Sequence, residues 1–156
     1  MKILAFQLLS IQLISLFASH AWGEEKSDSM VSGAFIVVEK ENPISFLNAS
    51  GEPMEKKVEV GSVLEPDEWA LSGKGGKLSL LLSNGTLVTL LPNTKMKLGD
   101  FNQIPFEAGD LKVSDLKEEP SSSQVSLDLD FGALVVKTKK LNKKSSFEIV
   151  TQVGTA

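Results

Sequence analysis

Carboxylates, lysines and hydroxyls are the side chains with which this chain could do chemistry. It contains no Cys, Tyr or Arg, and histidine occurs once, as His20. Asp128 and Asp130 alternate with Leu127 and Leu129, so both carboxylates point to one face of a strand. Such a pair could act as general acid and base or as weak calcium ligands. The same alternation is typical of the polar face of a half-buried strand, so we expect a surface or binding role and assign no catalytic residue.

Two further features could bind a ligand. Trp69 lies within a predicted strand and could stack on a sugar ring or pack into the core. The run from Ser72 to Lys77 has the glycines and lysines of a phosphate-binding loop, but Leu78 follows Lys77 where the motif needs Ser or Thr. We therefore predict a turn there. Ser and Lys are abundant, but no motif selects a Ser–Lys catalytic pair.

The charge balance and the missing residue types argue against several classes of function. The 16 basic side chains are all lysine and stand against 20 carboxylates, for a net charge of −4. Nucleic acid binding is not expected, because the guanidinium fork of arginine is missing and the overall field repels polyanions. Thiol chemistry and disulfides are unavailable without Cys. We predict no cofactor, no metal site and no enzymatic activity.

The N-terminus is typical of an export signal. Met1 and Lys2 give a positive start, and residues 3–17 form an apolar stretch that is too short and too polar for a good membrane anchor. Small residues favour cleavage after Gly23, with cleavage after Ala21 as the second choice and an uncleaved N-terminal helix as the alternative.

Cleavage after residue 23 would divide the chain into a signal peptide, 1–23, and a mature domain, 24–156. The mature domain would have no histidine and a net charge of −5, from 15 lysines and 20 carboxylates. We expect it to be periplasmic or secreted, with no stable membrane span.

From Ala34 onward, short apolar runs alternate with period two and are separated by Gly, Pro, Asn and Ser. This pattern indicates an all-β domain. We predict short, twisted antiparallel strands in a β-sandwich or a β-helix-like arrangement, preceded by the signal-peptide helix. The predicted strands are Ala34 to Glu39, Ile44 to Leu47, Lys57 to Val60, Glu68 to Ser72, Lys77 to Ser83, Thr86 to Leu91, Thr94 to Leu98, Gln124 to Asp130, Ala133 to Thr138 and Ser146 to Gln152.

Asn84-Gly85 predicts a hairpin with a two-residue type I′ turn. That register opposes Leu82 with Leu87 and makes the hairpin apolar on both faces, so we expect it to lie centrally in the fold. One face would collect Leu78, Leu80, Leu82, Leu87 and Leu91.

A second hairpin is predicted to turn at Phe131-Gly132. It would oppose Leu129 with Leu134 and make Asp128 and Lys137 diagonal neighbours. Between the two hairpins, residues 99–123 lose the alternation and predict an inserted loop, with one helical turn near Leu111 to Leu116. We expect its acids to keep it solvated: Glu107, Asp110, Asp115, Glu118 and Glu119.

The stretch from Gly61 to Thr151 resembles the FecR domain, a β-rich extracytoplasmic module of bacterial signalling proteins and other exported proteins. The matching segments are GSVLEPDEWALSGKGGKLSLLLSNGTLVTLLPNTKMKL at 61–98, VSLDLDFGALVVKT at 125–138 and SSFEIVT at 145–151. The residues that carry the family motifs, all with expected structural roles, are Gly61, Asn84, Gly85, Pro92, Asn93, Gly132, Phe147 and Thr151. The family usually continues into a Gly-Thr-x-Phe strand, whereas this sequence stops at 154–156, which suggests a domain truncated at its C-terminus.

The resemblance implies a non-enzymatic binding or signalling module that acts through protein–protein contacts at the cell envelope. Sigma-factor regulation is not carried over, because the sequence has no cytoplasmic sigma-regulator region. The candidate binding residues are Trp69, Asp128 and Asp130, and the expected partner is an envelope protein or a cell-surface polymer. The alternative is a glycan- or cell-wall-binding β module, which Trp69 motivates.

Overall fold

A computed structural model describes residues 29–55, 57–107, 109–110 and 112–156. The predicted signal peptide, its helix and Leu111 lie outside the described residues. No helix within the described ranges is long and apolar enough to cross a membrane.

The alternating apolar residues form short strands, and the all-β prediction is confirmed. A 3₁₀ turn, Val113–Asp115, falls within the predicted helical turn. The strands of the described ranges are β1 (Val31–Ser32), β2 (Phe35–Glu41), β3 (Ile44–Leu47), β4 (Val63–Leu64), β5 (Trp69–Ser72), β6 (Lys77–Leu82), β7 (Leu87–Leu90), β8 (Thr94–Gln103), β9 (Ser123–Phe131), β10 (Leu134–Lys137), β11 (Ser146–Thr151) and β12 (Gly154–Thr155).

The strands pair into two sheets. Sheet A has the order β12-β11-β9-β8-β5-β3, and β1 also pairs with β8. Sheet B has the order β10-β7-β6-β2-β4. Neighbouring strands are antiparallel except β9 and β11. These two are parallel because the chain leaves sheet A between them, runs through β10 in sheet B and returns in the same direction.

The sheets pack face to face around one core, which makes the fold a β-sandwich. Phe35 of sheet B and Phe101 of sheet A meet edge to face, with ring centroids 5.4 Å apart. The other fully buried large side chains come from both sheets: Leu64, Leu78, Leu80, Leu82, Leu90, Val37 and Val88 from sheet B, and Met96, Leu98 and Leu127 from sheet A.

The β6–β7 hairpin forms where it was predicted, with β6 in the middle of sheet B, but its register differs by one residue. Leu81, not Leu82, pairs with Leu87. The loop holds three residues rather than two, because the Leu82 amide donates to the Thr86 carbonyl at 2.8 Å. Gly85 takes the left-handed conformation that such a loop needs, with φ at 86°.

The shifted register changes which side chains are buried. Val88 and Leu90 join the core, whereas Leu87 and Leu91, which were predicted to share a face with Leu78, Leu80 and Leu82, remain partly exposed. The Asn84 side chain explains the longer loop, because its carbonyl oxygen accepts from the Thr86 amide at 3.0 Å and thereby stabilises the turn.

The second predicted hairpin does not form, because β9 and β10 belong to different sheets. The chain crosses between the sheets at Gly132, where φ is 100°. A Cβ at this position would lie 2.5 Å from the Thr94 Cα, so only glycine allows the close approach. The Thr94 hydroxyl then bridges the Ala133 amide and carbonyl, at 3.0 and 3.1 Å. Asp128 and Lys137 are therefore not neighbours.

Other segments also differ from the prediction, which did not include the two-residue strands β1, β4 and β12. Lys57 to Val60 is not a strand: Val58 inserts into the core, and its carbonyl accepts from Lys40 Nζ at 2.6 Å instead of joining a ladder. The predicted loop 99–123 shortens at both ends, because β8 continues through a bulge to Gln103 and β9 begins at Ser123.

The remaining family-motif residues lie at turns and at the edge of the core. Gly61 has φ at 91°, and Asn93, after the exposed Pro92, has φ at 55°. Phe147 packs against the core from β11, and the Thr151 hydroxyl donates to the Gly154 carbonyl at 2.8 Å.

Candidate functional site

The outer face of sheet A brings the predicted binding residues together. In the strand registers, Trp69 of β5 opposes Lys97 of β8, and Lys97 opposes Asp128 of β9. Asp130 lies further along β9, where its carboxylate binds Lys95 of β8 at 2.8 Å. The side chains that the sequence selected thus share one surface, with two lysines between the aromatic ring and the carboxylates.

Internal contacts occupy most of the polar groups of this surface. The Lys95 ammonium lies 4.4 Å from the centre of the Trp69 ring. The Asp130 carboxylate also accepts from Gln152 Nε2 at 2.9 Å. The hydrogen bonds from Lys95 and then from Gln152 lower the pKa of Asp130. Lys97 binds Asp67 at 2.5 Å, and this hydrogen bond raises the pKa of Lys97.

General acid–base action or calcium binding by Asp128 and Asp130 finds little support in this geometry. Asp130 is neutralised by Lys95, and Asp128 lies opposite Lys97. Within the described ranges, no three His, Cys, Asp or Glu side chains are grouped so that they could hold a metal ion. The Lys95 ammonium lies over the ring of Trp69, which is partly buried.

The outer face of sheet B has a different character. Val63, Ile36, Leu81 and Leu87 are register neighbours across β4, β2, β6 and β7, and we call them the aliphatic row. Val63 is 51% exposed, and the other three are partly exposed. On β10, Lys137 opposes Leu87 and so ends the row, and Val135, 43% exposed, lies opposite Thr89. The sequence did not predict this row, because the predicted register placed Leu87 opposite Leu82, whereas Leu87 lies opposite Leu81 in the structure.

A polar row runs beside the aliphatic row and is satisfied internally. The Ser79 hydroxyl donates to Glu39 at 2.8 Å and shares a hydrogen bond with the Thr89 hydroxyl at 3.0 Å. Lys77 pairs with Glu39 at 2.8 Å, and this hydrogen bond, followed by that from Ser79, lowers the pKa of Glu39. The polar groups of this face are therefore paired with one another, whereas the aliphatic row presents partly exposed apolar side chains.

A cleft of about 260 Å³ opens at the β7 end of the aliphatic row, and we call it the lysine cleft. Leu81, Leu87 and Val113 give it an apolar floor and wall, and the stems of Lys137 and Lys139 line its rim. Val113 reaches the cleft because the 3₁₀ turn of the long loop folds over this end of sheet B.

The segment 137–144 continues from the cleft and carries a concentrated positive charge. Its sequence, KTKKLNKK, contains five lysines and no acid, in a chain whose net charge is −4. Lys137, Lys143 and Lys144 are exposed. Within the described part of the chain, the one ion pair of this segment joins Lys140 to Glu118 at 3.7 Å. The charge run was readable in the sequence, but only the fold shows that it adjoins an apolar cleft.

Glu119 is a buried carboxylate, contrary to the expectation that the acids of this loop are solvated. Glu119 is 3% exposed. One oxygen accepts from the Ser123 hydroxyl at 2.7 Å, and the other accepts from the Asn142 amide at 2.6 Å and from the Ser145 hydroxyl. Glu107, Asp110, Asp115 and Glu118 are exposed, as expected.

The Glu119 network fixes the lysine segment relative to the sheets. Asn142 lies within the segment and Ser145 follows it, so the carboxylate holds the end of the segment in place. Ser123 begins β9 and also accepts from Asn84 Nδ2 at 2.9 Å, which connects the network to the β6–β7 turn. No sequence motif signalled this network, because its members are far apart in the chain.

Comparison with known proteins adds no relative: no protein-family model, no curated protein and no solved structure matches this chain.

Proposed function

We propose that this protein is a non-enzymatic, exported, FecR-like binding module that contacts a protein partner at the cell envelope through the outer face of sheet B. The observation that carries the proposal is the aliphatic row, which crosses four of the five strands of that sheet and remains partly exposed. The export signal and the FecR-like motifs of the sequence support the location and the class.

The difference between the two outer faces supports the choice of surface. On sheet A, Lys95, Lys97 and Asp130 already bind partners within the chain, so a ligand would have to compete with these contacts. On sheet B, burying the aliphatic row would remove apolar surface from water, which stabilises a complex by about 25 cal/mol per Å². Contiguous apolar surface on a soluble domain is typical of a protein interaction site.

The alternative, a glycan- or cell-wall-binding module, has less support. It depends on Trp69, whose ring is half-buried and has the Lys95 ammonium 4.4 Å from its centre. A sugar would have to displace this cation before it could stack on that side of the ring. Silence on a glycan array, together with Trp69 fluorescence that polysaccharide does not change, would exclude this alternative.

The test is capture of partners from envelope extract with three forms of the protein. Val63→Asp places a charge in the aliphatic row, at a side chain that is 51% exposed and can be changed without opening the core. Val153→Asp makes the same substitution in the β11–β12 turn of sheet A, where the side chain is 98% exposed. We expect the wild type and Val153→Asp to capture the same protein and Val63→Asp to lose it. Equal capture by all three forms, or capture by none, would overturn the proposal.

A further inference from the structure

We propose that the lysine cleft and the segment 137–144 recognise an acidic peptide segment that carries one apolar side chain. This inference rests on the proposed function, because it names the class of partner that the outer face of sheet B would bind. The apolar side chain enters the cleft, and the flanking carboxylates of the peptide lie against the lysines.

The charge distribution selects an acidic partner. Five lysines lie within 137–144, and Lys112 and Lys117 lie in the loop whose 3₁₀ turn borders the same cleft. In the described ranges, only Lys140 among these seven forms an ion pair, at 3.7 Å from Glu118. A partner with carboxylates would therefore meet cations that are not already neutralised, and the attraction would also accelerate association.

The shape of the cleft selects an apolar side chain at the centre of that partner. Its volume of about 260 Å³ and its walls of Leu81, Leu87 and Val113 suit one aliphatic or aromatic group. Gly85 of the β6–β7 turn also lines the cleft. A Cβ there would lie 3.1 Å from the Lys139 stem and 3.3 Å from Leu116, so a larger residue would displace these side chains.

The edge of sheet B favours a peptide over a lipid surface. Among the described strands, β10 pairs only with β7, and the Leu91 amide donates to the Ala133 carbonyl at 3.1 Å. The alternation of an antiparallel ladder then directs the backbone groups of Leu134 and Val136 away from β7. An extended peptide can satisfy these groups by adding to the edge, whereas a lipid surface cannot. A concave cleft also suits an entering side chain better than it suits insertion into a membrane.

The test measures binding of short acidic peptides by fluorescence anisotropy. The probes are labelled peptides of Asp and Glu with a central Leu, Ile, Phe or Trp, a peptide with Ser at the centre, and a peptide with Asn and Gln in place of the acids. Vesicles of phosphatidylglycerol serve as the lipid probe. The variants are Lys143→Glu in the lysine segment and Lys74→Glu in the Gly73–Gly76 turn, a matched control at another exposed lysine.

We expect at least one acidic peptide with an apolar centre to bind saturably and to weaken at high salt. Replacing the central residue by Ser should weaken it about tenfold, as expected for the loss of one buried apolar side chain. Lys143→Glu should weaken it about fivefold, while Lys74→Glu should change the affinity less than about twofold.

The inference would be overturned if no acidic peptide binds, and vesicle binding that Lys143→Glu abolishes would then indicate a lipid surface instead. It would also be overturned if the Ser-centred or neutral peptide binds as tightly as the acidic peptides with an apolar centre. Equal effects of Lys143→Glu and Lys74→Glu would overturn it as well. If the peptides fail but Val63→Asp still abolishes partner capture, the docking face stands and only the acidic nature of the partner is wrong.

Discussion

Replacing Glu119 by alanine should reduce the free energy of unfolding by about 3–5 kcal/mol. The carboxylate accepts hydrogen bonds from the Ser123 hydroxyl, the Asn142 amide and the Ser145 hydroxyl, and the residue is 3% exposed. A hydrogen bond to a charged group contributes about 1.5–3 kcal/mol, and relaxation around the alanine would recover part of the sum. Since a domain of this size is stable by only about 5–15 kcal/mol, the loss would be a large fraction of the total.

Urea unfolding followed by Trp69 fluorescence measures this loss. Glu119→Gln should be intermediate, because its amide keeps one acceptor oxygen. The matched control is Glu118→Ala, whose carboxylate is 61% exposed and lies 3.7 Å from Lys140. Removing an exposed pair of this kind should cost less than about 0.5 kcal/mol. Equal losses for Glu118→Ala and Glu119→Ala would contradict the role of Glu119 in holding the segment 137–144 against the start of β9.

Two further predictions concern the crossing between the sheets and the ion pairs of sheet A. Gly132→Ala should lower the urea midpoint of unfolding much more than Gly51→Ala. Both glycines have positive φ, but a Cβ at Gly132 would lie 2.5 Å from the Thr94 Cα, whereas a Cβ at Gly51 would have nothing within 4 Å. Similar effects of the two substitutions would contradict the close approach at Gly132. The pKa of Asp130 in the folded protein is lowered from 3.8, so its ionised form adds stability above that pH, and the contribution is lost as the pH falls through the folded-state pKa. The difference in unfolding free energy between wild type and Asp130→Asn should therefore be present at neutral pH and shrink well below pH 3.8. Urea unfolding across this pH range measures it. A difference that does not depend on pH would contradict the pairing of Asp130 with Lys95.

Local signals in the sequence predicted the strands well. Period-two alternation placed β3 at the bounds that the structure shows and placed most other strands within a few residues. Asn84-Gly85 marked the β6–β7 turn, and the apolar character of that hairpin correctly placed β6 in the middle of a sheet. These features depend on residues close together in the chain, so a single sequence contains enough information to find them.

Pairing between distant segments could not be read in the same way. The predicted pairing of Leu129 with Leu134 favoured a hairpin, but Gly132 allows the chain to cross from sheet A to sheet B. At the crossing, the Ala133 amide donates to the hydroxyl of Thr94, which lies on β8 of sheet A. Leu129 instead lies opposite Met96 of β8. Alternation shows which side chains share a face, but it does not show which sheet that face belongs to.

The candidate site was predicted only in part for the same reason. Trp69, Asp128 and Asp130 do lie on one surface, but the lysines between them come from β8 and neutralise the surface. The aliphatic row depends on a hairpin register that a three-residue loop shifts by one position. Glu119 resembled a solvated loop acid, because its partners Asn142 and Ser145 lie more than twenty positions away.

Site-specific photo-cross-linking at the cell envelope tests the docking face most directly. A benzophenone amino acid would replace Val63 in the aliphatic row or, as the control, Glu148, which is exposed on β11 of sheet A. We expect a covalent adduct with one protein partner from position 63 and none from position 148. Adducts from position 148 alone, or from both positions equally, would contradict the claim that this protein binds its partner through the outer face of sheet B.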